Sequence, residues 1–174
     1  MNIAVFEDSV VNQLYPITVA RPAFALSCGG YRLADLLPRL GGRLFQHVRP
    51  YLQQVTAEDY KIPAVPSVLE GRWVFVNARL VPHVQIIDQI RGLLQEQSES
   101  VIWHNNAIAL AMLNFSKPCP WSEQTLENVL VGELKKRHVA SPDAKLSLFE
   151  YPHEAIKYHT IIMGDNLSDR VSRG

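Results

Sequence analysis

The chain lacks an excess of charge of either sign. Its 174 residues carry 17 basic and 17 acidic side chains, and the longest basic run is Lys135-Lys136-Arg137. Proteins that bind nucleic acids concentrate basic residues on one face, so the sequence disfavours a nucleic acid as the main partner.

The chain is also poor in cysteine and has no long apolar run. Cys28 and Cys119 are isolated thiols without the spacing of a zinc site or a disulfide framework, which suits a reducing cytoplasm. No segment approaches ~20 consecutive apolar residues, and the N-terminus has no signal-peptide pattern. The sequence therefore predicts a soluble, cytoplasmic protein without membrane contact.

Short apolar segments alternate with segments of helical periodicity. Residues 3–6 and 73–77 are almost wholly apolar and predict buried strands. Residues 82–94 place apolar side chains at positions 84, 87, 90 and 94, which is the stripe of an amphipathic helix. The length fits one domain, and the alternation predicts an α/β sandwich.

A stiff loop, residues 14–22, follows the first predicted strand. Its two prolines restrict the backbone, so neither a helix nor a sheet ladder continues through it. Ligands of open α/β sheets bind beyond the carboxyl ends of strands, where this loop lies. The Arg21 guanidinium suits a phosphate, and Thr18 adds a hydroxyl group. Arg21 either contacts a ligand or pairs with Asp8 or Glu7, and the sequence leaves both open.

Two further polar residues are candidates for ligand contact. Asn77 ends the second predicted strand, where it either faces a ligand or caps the turn. His104 precedes Asn105-Asn106, the predicted turn of a hairpin between residues 100–103 and 107–113. It is either a hydrogen-bond donor to a ligand or a structural residue.

Three blocks of the sequence resemble one enzyme family. The order of a strand, a loop and Leu-x-Pro-x-Thr-x-x-x-Pro is similar to the signature of sugar-1-phosphate nucleotidylyltransferases. The sequence is more similar to a divergent branch, the sugar nucleotidyltransferases that resemble the N-terminal domain of bifunctional N-acetylglucosamine-1-phosphate uridylyltransferase. The blocks are residues 6–29, with Leu14, Pro16, Thr18, Arg21 and Pro22, residues 75–82, and residues 151–158.

The resemblance implies a three-layer α/β/α sandwich, a Rossmann-like domain with a mostly parallel sheet, over residues 1–164. It implies transfer of a nucleotidyl group from an NTP to a sugar 1-phosphate, with release of pyrophosphate. Arg21 and Asp8 are then the catalytic residues, and Asp8 is also the ligand of Mg²⁺. The implied substrate-binding residues are Glu7, Thr18, Asn77 and His104.

The sequence also departs from the family pattern. The glycines, threonine, arginine and lysine of the family's phosphate-binding loop are replaced by Ser9, Val11, Asn12, Gln13 and Ala23. Glycine lets backbone N–H groups approach phosphates closely, and an amide such as Asn77 is a weaker Mg²⁺ ligand than a carboxylate. A second hypothesis is therefore a degenerate domain that binds a nucleotide, a sugar phosphate or a partner, or serves assembly, without chemistry.

The last third of the chain yields predictions of local structure. Residues 118–120 predict a stiff linker, Ser122 a helix cap with Glu123 in the first turn, and residues 146–149 a last strand. Residues 152–163 predict a final helix, followed by a polar tail at 165–174. A left-handed β-helix domain follows at this point in relatives, and an apolar face left bare without it would favour self-association.

Overall fold

A computed structural model describes residues 1–96, 98–121 and 125–173. The predicted cap Ser122 and Glu123 lie outside the described residues. The strands are β1 (Asn2–Phe6), β2 (Ser27–Cys28), β3 (Tyr31–Arg32), β4 (Arg43–His47), β5 (Val68–Asn77), β6 (Ser100–His104) and β7 (Ala107–Pro120). The α-helices are α1 (Leu33–Leu36), α2 (Gln53–Tyr60), α3 (Gln85–Gln95), α4 (Leu126–Lys136) and α5 (Glu154–Arg173).

Five strands form one mixed sheet in the order β4-β1-β5-β7-β6. Strand β1 is parallel to β4 and to β5, whereas β7 is antiparallel to both of its neighbours. Four strands therefore run in one direction and β7 opposes them, in agreement with the predicted mostly parallel sheet. Strands β2 and β3 form a separate two-stranded hairpin.

The sheet carries a hydrophobic core on each face. Ile3 and Val5 of β1 belong to a cluster with residues of α3 and α5, whereas Ala4 and Phe6 belong to one that includes α4. This alternation follows from the two-residue period of a strand, which sends successive side chains to opposite faces. Helices thus cover both faces of the sheet, which is the predicted three-layer α/β/α sandwich.

Helix α5 is longer than the sequence predicted. It runs from Glu154 to Arg173, so the residues predicted as a polar tail are helical as far as the structure describes them. Ile162 and Asn166 are its buried residues, and they pack against the β2–β3 turn. Gly29 in that turn has φ +59°, and a Cβ there would collide with the Ile162 side chain. The close approach of α5 therefore requires glycine at this position.

Two other local predictions were wrong. Residues 118–120 belong to the end of β7, where Cys119 and Pro120 pair with β5. The pairing of β7 with β6 ends at Met112. Beyond that residue one side of β7 is an edge, where proline is tolerated because no backbone N–H is needed for pairing. Residues 146–149 form a single bridge, Leu80 to Leu148, and not a strand.

No helix of the described residues is long and apolar enough to cross a membrane.

Candidate functional site

The parallel strands end together at one edge of the sheet. Phe6, the last residue of β1, lies opposite His47 of β4 and Asn77 of β5. From β1 the chain crosses to β4 on one side and then returns to β5 on the other. The edge beyond β1 is therefore a topological switch point, where open α/β sheets bind their ligands.

Asp8 forms a buried ion pair with Arg79 at this switch point. Arg79 Nε and Nη2 donate to the two Asp8 oxygens at 2.8 and 2.6 Å. Asn77 Nδ2 donates to the same carboxylate at 2.8 Å, and its Oδ1 accepts the Arg79 N–H at 3.0 Å. The Asp8 and Arg79 side chains are both 2% exposed. Protein atoms thus fill the crevice between β1 and β5, and Asn77 caps the turn.

The residues around Asp8 do not fit a magnesium ion. Mg²⁺ requires oxygen ligands in near-octahedral geometry, whereas the Asp8 oxygens already accept bonds from a guanidinium and an amide. The guanidinium is permanently charged and would repel a second cation. Over the described ranges, no group of three or more His, Cys, Asp or Glu could hold a metal ion. The catalytic and metal roles of Asp8 stay predictions that this geometry does not favour.

Glu7 forms a second ion pair, with Arg49, the second residue after β4. Glu7 Oε2 accepts Arg49 N and Nε at 2.9 and 3.0 Å, and Oε1 accepts Ala23 N at 2.9 Å. The Arg49 side chain is 11% exposed and the Glu7 side chain 2%. Burial lowers the pKa of Arg49, but its hydrogen bonds to Glu7 and the charge of that carboxylate outweigh this and raise it.

Arg49 also holds the stiff loop in place. Its Nη2 donates to the carbonyl oxygens of Thr18 and Arg21 at 2.8 and 3.1 Å. Thr18 is fully buried, and its hydroxyl has no hydrogen-bond partner among the described residues. Arg21 is exposed, and within the described part of the chain it forms neither of the predicted pairs with Asp8 and Glu7. The predicted substrate roles of Thr18 and Arg21 stay untested.

A pocket of about 660 Å³ opens beyond the carboxyl ends of β1 and β4. It is mostly polar where α4 begins, because Thr125, Glu127 and Asn128 face residues of the segment after β1. Glu127 Oε2 accepts the backbone N–H of Ser9 at 2.8 Å. The lining residues are Glu7, Asp8, Ser9, Val11, Asn12, His47, Val48, Arg49, Pro50, Gln53, Thr125, Glu127, Asn128 and Val131. We call this the strand-end pocket.

The strand-end pocket is lined by three carboxylates, Glu7, Asp8 and Glu127, and by the basic side chains of His47 and Arg49. Burial lowers the pKa of His47, and the charge of Glu7 offsets only part of this, so the ring is neutral at pH 7. Arg49 Nη1 is buried without a hydrogen-bond partner among the described residues. A buried guanidinium with an unused donor favours an anion nearby. Arg49 is therefore the cation of the pocket.

His104 lies apart from these groups, on the β6–β7 hairpin that the sequence predicted. Its Nε2 is 3.8 Å from a Glu150 oxygen, and Glu150 also accepts a hydrogen bond from Asn105. His104 lines a different pocket, of about 450 Å³, together with Trp103 and residues 141–147. The structure thus brings together Glu7, Asp8 and Asn77, and it does not bring His104 to them.

Sequence reasoning missed Arg49 altogether. Its signal was its position, since it closely follows β4, as Glu7 and Asp8 follow β1. Arg79 was part of a recognised block, but its pairing with Asp8 was not predicted. Both ion pairs join residues that are distant in sequence, so they depend on the order of strands in the sheet.

The fold and the pocket define a class of protein: an α/β domain with a pocket at the carboxyl ends of its parallel strands, where open α/β sheets bind their ligands. A model of the sugar nucleotidyl transferase family matches residues 3–168. The chain belongs to this family. No curated protein matches the sequence significantly.

Solved structures support the same fold. One is a candidate glucose-1-phosphate thymidylyltransferase from Bacillus anthracis in complex with a sucrose, with 11% identity and a TM-score of 0.55. The match covers 93% of this chain and 94% of that one. Another is the inositol-1-phosphate CTP transferase from T. maritima, with 12% identity, a TM-score of 0.52 and 95% coverage of both chains. Likeness at this identity shows the fold alone.

Proposed function

We propose that this chain transfers a nucleotidyl group from an NTP to a sugar 1-phosphate in the strand-end pocket. The observation that carries the proposal is Arg49, the arginine that lines that pocket beside the carboxyl ends of β1 and β4. Membership of the sugar nucleotidyl transferase family supports the reaction class. Cytoplasm is the compartment that this proposal requires, because NTPs and sugar phosphates are made there.

The reaction needs positioning and positive charge more than it needs a nucleophilic side chain. An oxygen of the sugar phosphate attacks the α-phosphorus in line, and the bond between that phosphorus and the bridging oxygen breaks as pyrophosphate leaves. Arg49 stabilises the negative charge that develops during this step. Gln53, Asn12 and Asn128 line the same pocket and supply donors and acceptors for the base or the sugar.

Magnesium enters this proposal as part of a substrate. A triphosphate binds Mg²⁺ through its own oxygens, so the ion arrives as the counter-ion of the NTP and needs no site on Asp8. The proposed partners are therefore the NTP with its cation and the sugar 1-phosphate.

The test is pyrophosphate release from a panel of NTPs and sugar 1-phosphates, with Arg49→Gln compared with the wild type. We expect this substitution to lower kcat/KM about 100-fold, because a charged donor to the transition state is lost. Arg43→Gln is the matched control, because Arg43 is an exposed arginine at the other end of the same strand. In the single Arg49→Gln variant Glu7 is left as a buried charge without its partner, which could disturb the fold of the site. The double variant Glu7→Gln, Arg49→Gln removes both charges, so activity that is still lost in it reflects the missing Arg49 charge and not an unpaired Glu7.

Two results would overturn the proposal. One is release of no pyrophosphate from any NTP and sugar 1-phosphate pair by the wild-type chain. The other is equal turnover by the Arg49→Gln and Arg43→Gln variants, since the pocket cation would then take no part.

The second candidate function is ligand binding without chemistry. It is favoured by the pairing of both strand-end carboxylates, Glu7 and Asp8, with arginines. The two candidates differ in one measurement: a binder melts at a higher temperature with an NTP or a sugar phosphate but releases no pyrophosphate.

A further inference from the structure

A cationic pocket lies where the end of α5 meets the β2–β3 hairpin. It has a volume of about 350 Å³ and shares no lining residue with the strand-end pocket. The lining residues are Tyr31, Arg32, Asp35, Arg39, Arg170 and Arg173. We call this the arginine pocket.

The charges around the arginine pocket do not balance. Its four guanidinium groups face two carboxylates, Asp35 and Asp169, which leaves an excess of two positive charges. Hydrogen bonds from Arg173, Arg39 and Tyr31 outweigh burial and lower the pKa of Asp169, so it is ionised and already included in this balance. The carboxyl end of α5 adds only about half a negative charge through the helix dipole. The excess is local, because the whole chain is neutral.

Two of the arginines are held in place by an aromatic ring. The Arg39 and Arg170 guanidinium carbons lie 4.8 and 5.8 Å from the centre of the Tyr31 ring. The Tyr31 hydroxyl donates to Asp169 at 2.8 Å, which fixes the ring. Guanidinium groups ordered in advance lose little freedom when an anion binds.

The same arginines retain unused donors. Arg39 and Arg170 each use Nη1, on Asp169 and on the Gly30 carbonyl, both at 2.8 Å. Arg173 uses Nε, on Asp169 at 2.9 Å. Among the described residues, the Nη2 groups of all three have no hydrogen-bond partner. Docking of α5 thus uses one donor group of each arginine and leaves the rest of the planar fork free.

We propose that the arginine pocket binds a small anion that carries a phosphate group. All four cations are arginines, whose planar fork matches phosphate oxygens in pairs, whereas lysine offers only a point charge. The volume lies in the range of small-molecule sites, roughly 300–1,000 Å³. Binding here is separate from the proposed reaction and would link the docking of α5 to phosphate concentration, because Arg170 and Arg173 belong to that helix.

The test is a titration of the full chain with inorganic phosphate and pyrophosphate, followed in ¹H–¹⁵N NMR spectra. We expect shifts of the Gly30 amide and of the Nε signals of Arg39, Arg170 and Arg173. The double variant Arg170→Gln, Arg173→Gln should raise the Kd at least tenfold, while Arg43→Gln serves as the matched control. Glucose 1-phosphate and AMP, titrated in parallel, separate a free phosphate ion from the phosphate group of a larger molecule.

Three outcomes would overturn the proposal. The first is no shift of these signals at millimolar probe. The second is an equal rise in Kd for Arg43→Gln and the double variant, which would indicate general charge attraction. The third is loss of binding in Arg49→Gln alone, which would place the anion in the strand-end pocket. If the double variant does not fold, Arg173→Gln alone tests the same prediction, because Arg173 is exposed in the last turn of α5.

Discussion

Two ion pairs follow strand β1, one residue apart, and they differ in what surrounds them. The Asp8 and Arg79 side chains are both 2% exposed; Asn77 donates a further hydrogen bond to Asp8, and the Phe149 carbonyl accepts one from Arg79. Glu7 and Arg49 border an open pocket, and one Arg49 nitrogen has no partner among the described residues. The same pairing of charges thus occurs in two settings: Arg79 is enclosed, whereas Arg49 borders the pocket in which we propose that the NTP binds.

The largest expected effect is on folding stability at the enclosed pair. Arg79→Met leaves Asp8 buried without a counter-charge, which we expect to lower the free energy of unfolding by about 3–5 kcal/mol. Arg49→Met should cost about 1–3 kcal/mol, because Glu7 keeps backbone donors from Ala23 and residue 49. Urea denaturation of both variants measures the difference.

A double variant controls for lost packing. Asp8→Asn with Arg79→Met removes both charges and should be more stable than Arg79→Met alone. Equal losses for Arg79→Met and Arg49→Met would contradict the division between an enclosed and an open pair.

The second-largest expected effect is on the affinity of the strand-end pocket for an NTP. Glu127 contributes a negative charge to the lining of the pocket, and its carboxylate accepts a hydrogen bond from the backbone N–H of Ser9. Glu127→Gln should tighten NTP binding about three- to tenfold, since one repulsive charge near the phosphates is lost. Isothermal titration calorimetry measures the Kd, and Glu58→Gln is the control because Glu58 is exposed on α2. Unchanged or weaker binding would indicate that the phosphates lie away from Glu127.

The smallest effect is a pH dependence at His47. Burial lowers its pKa below the value of about 6.5 in the unfolded chain, so the unfolded state takes up a proton first as pH falls. Stability should therefore decrease as pH falls through about 6.5 and level off below the folded pKa. His47→Gln should flatten this part of the profile, measured as melting temperature between pH 5 and 8. His138→Gln at an exposed position should leave the profile unchanged, and a profile unaltered by His47→Gln would contradict the prediction.

Much of the sheet was predictable because its signals are local. The apolar strands at 3–6 and 73–77 and the hairpin at Asn105-Asn106 are each encoded in a few neighbouring residues. The family resemblance supplied the three-layer architecture. The prediction ended helix α5 too early because the exposed, polar turns after residue 163 show no apolar stripe. Tertiary contacts of Ile162 and Asn166 stabilise the longer helix.

The site was less predictable, because its partners are set by the strand order. Glu7, Asp8 and Asn77 do lie together at the end of the parallel strands, and their predicted roles toward a substrate or a metal stay predictions. Their actual partners, Arg49 and Arg79, lie 42 and 71 residues away from Glu7 and Asp8. Which carboxylate meets which arginine depends on β1 lying between β4 and β5, and no local pattern encodes that order.

Arg49 holds the loop at residues 14–22 through hydrogen bonds to the main-chain oxygens of Thr18 and Arg21. Every residue type carries a carbonyl group, so these two hydrogen bonds do not depend on the side chains at positions 18 and 21. Val19, Ala20 and Arg21 have exposed side chains, so substitutions there leave the two hydrogen bonds from Arg49 intact. The backbone path of this loop is thus anchored to the ends of β1 and β4 through Arg49 and Glu7, whichever side chains its exposed positions carry.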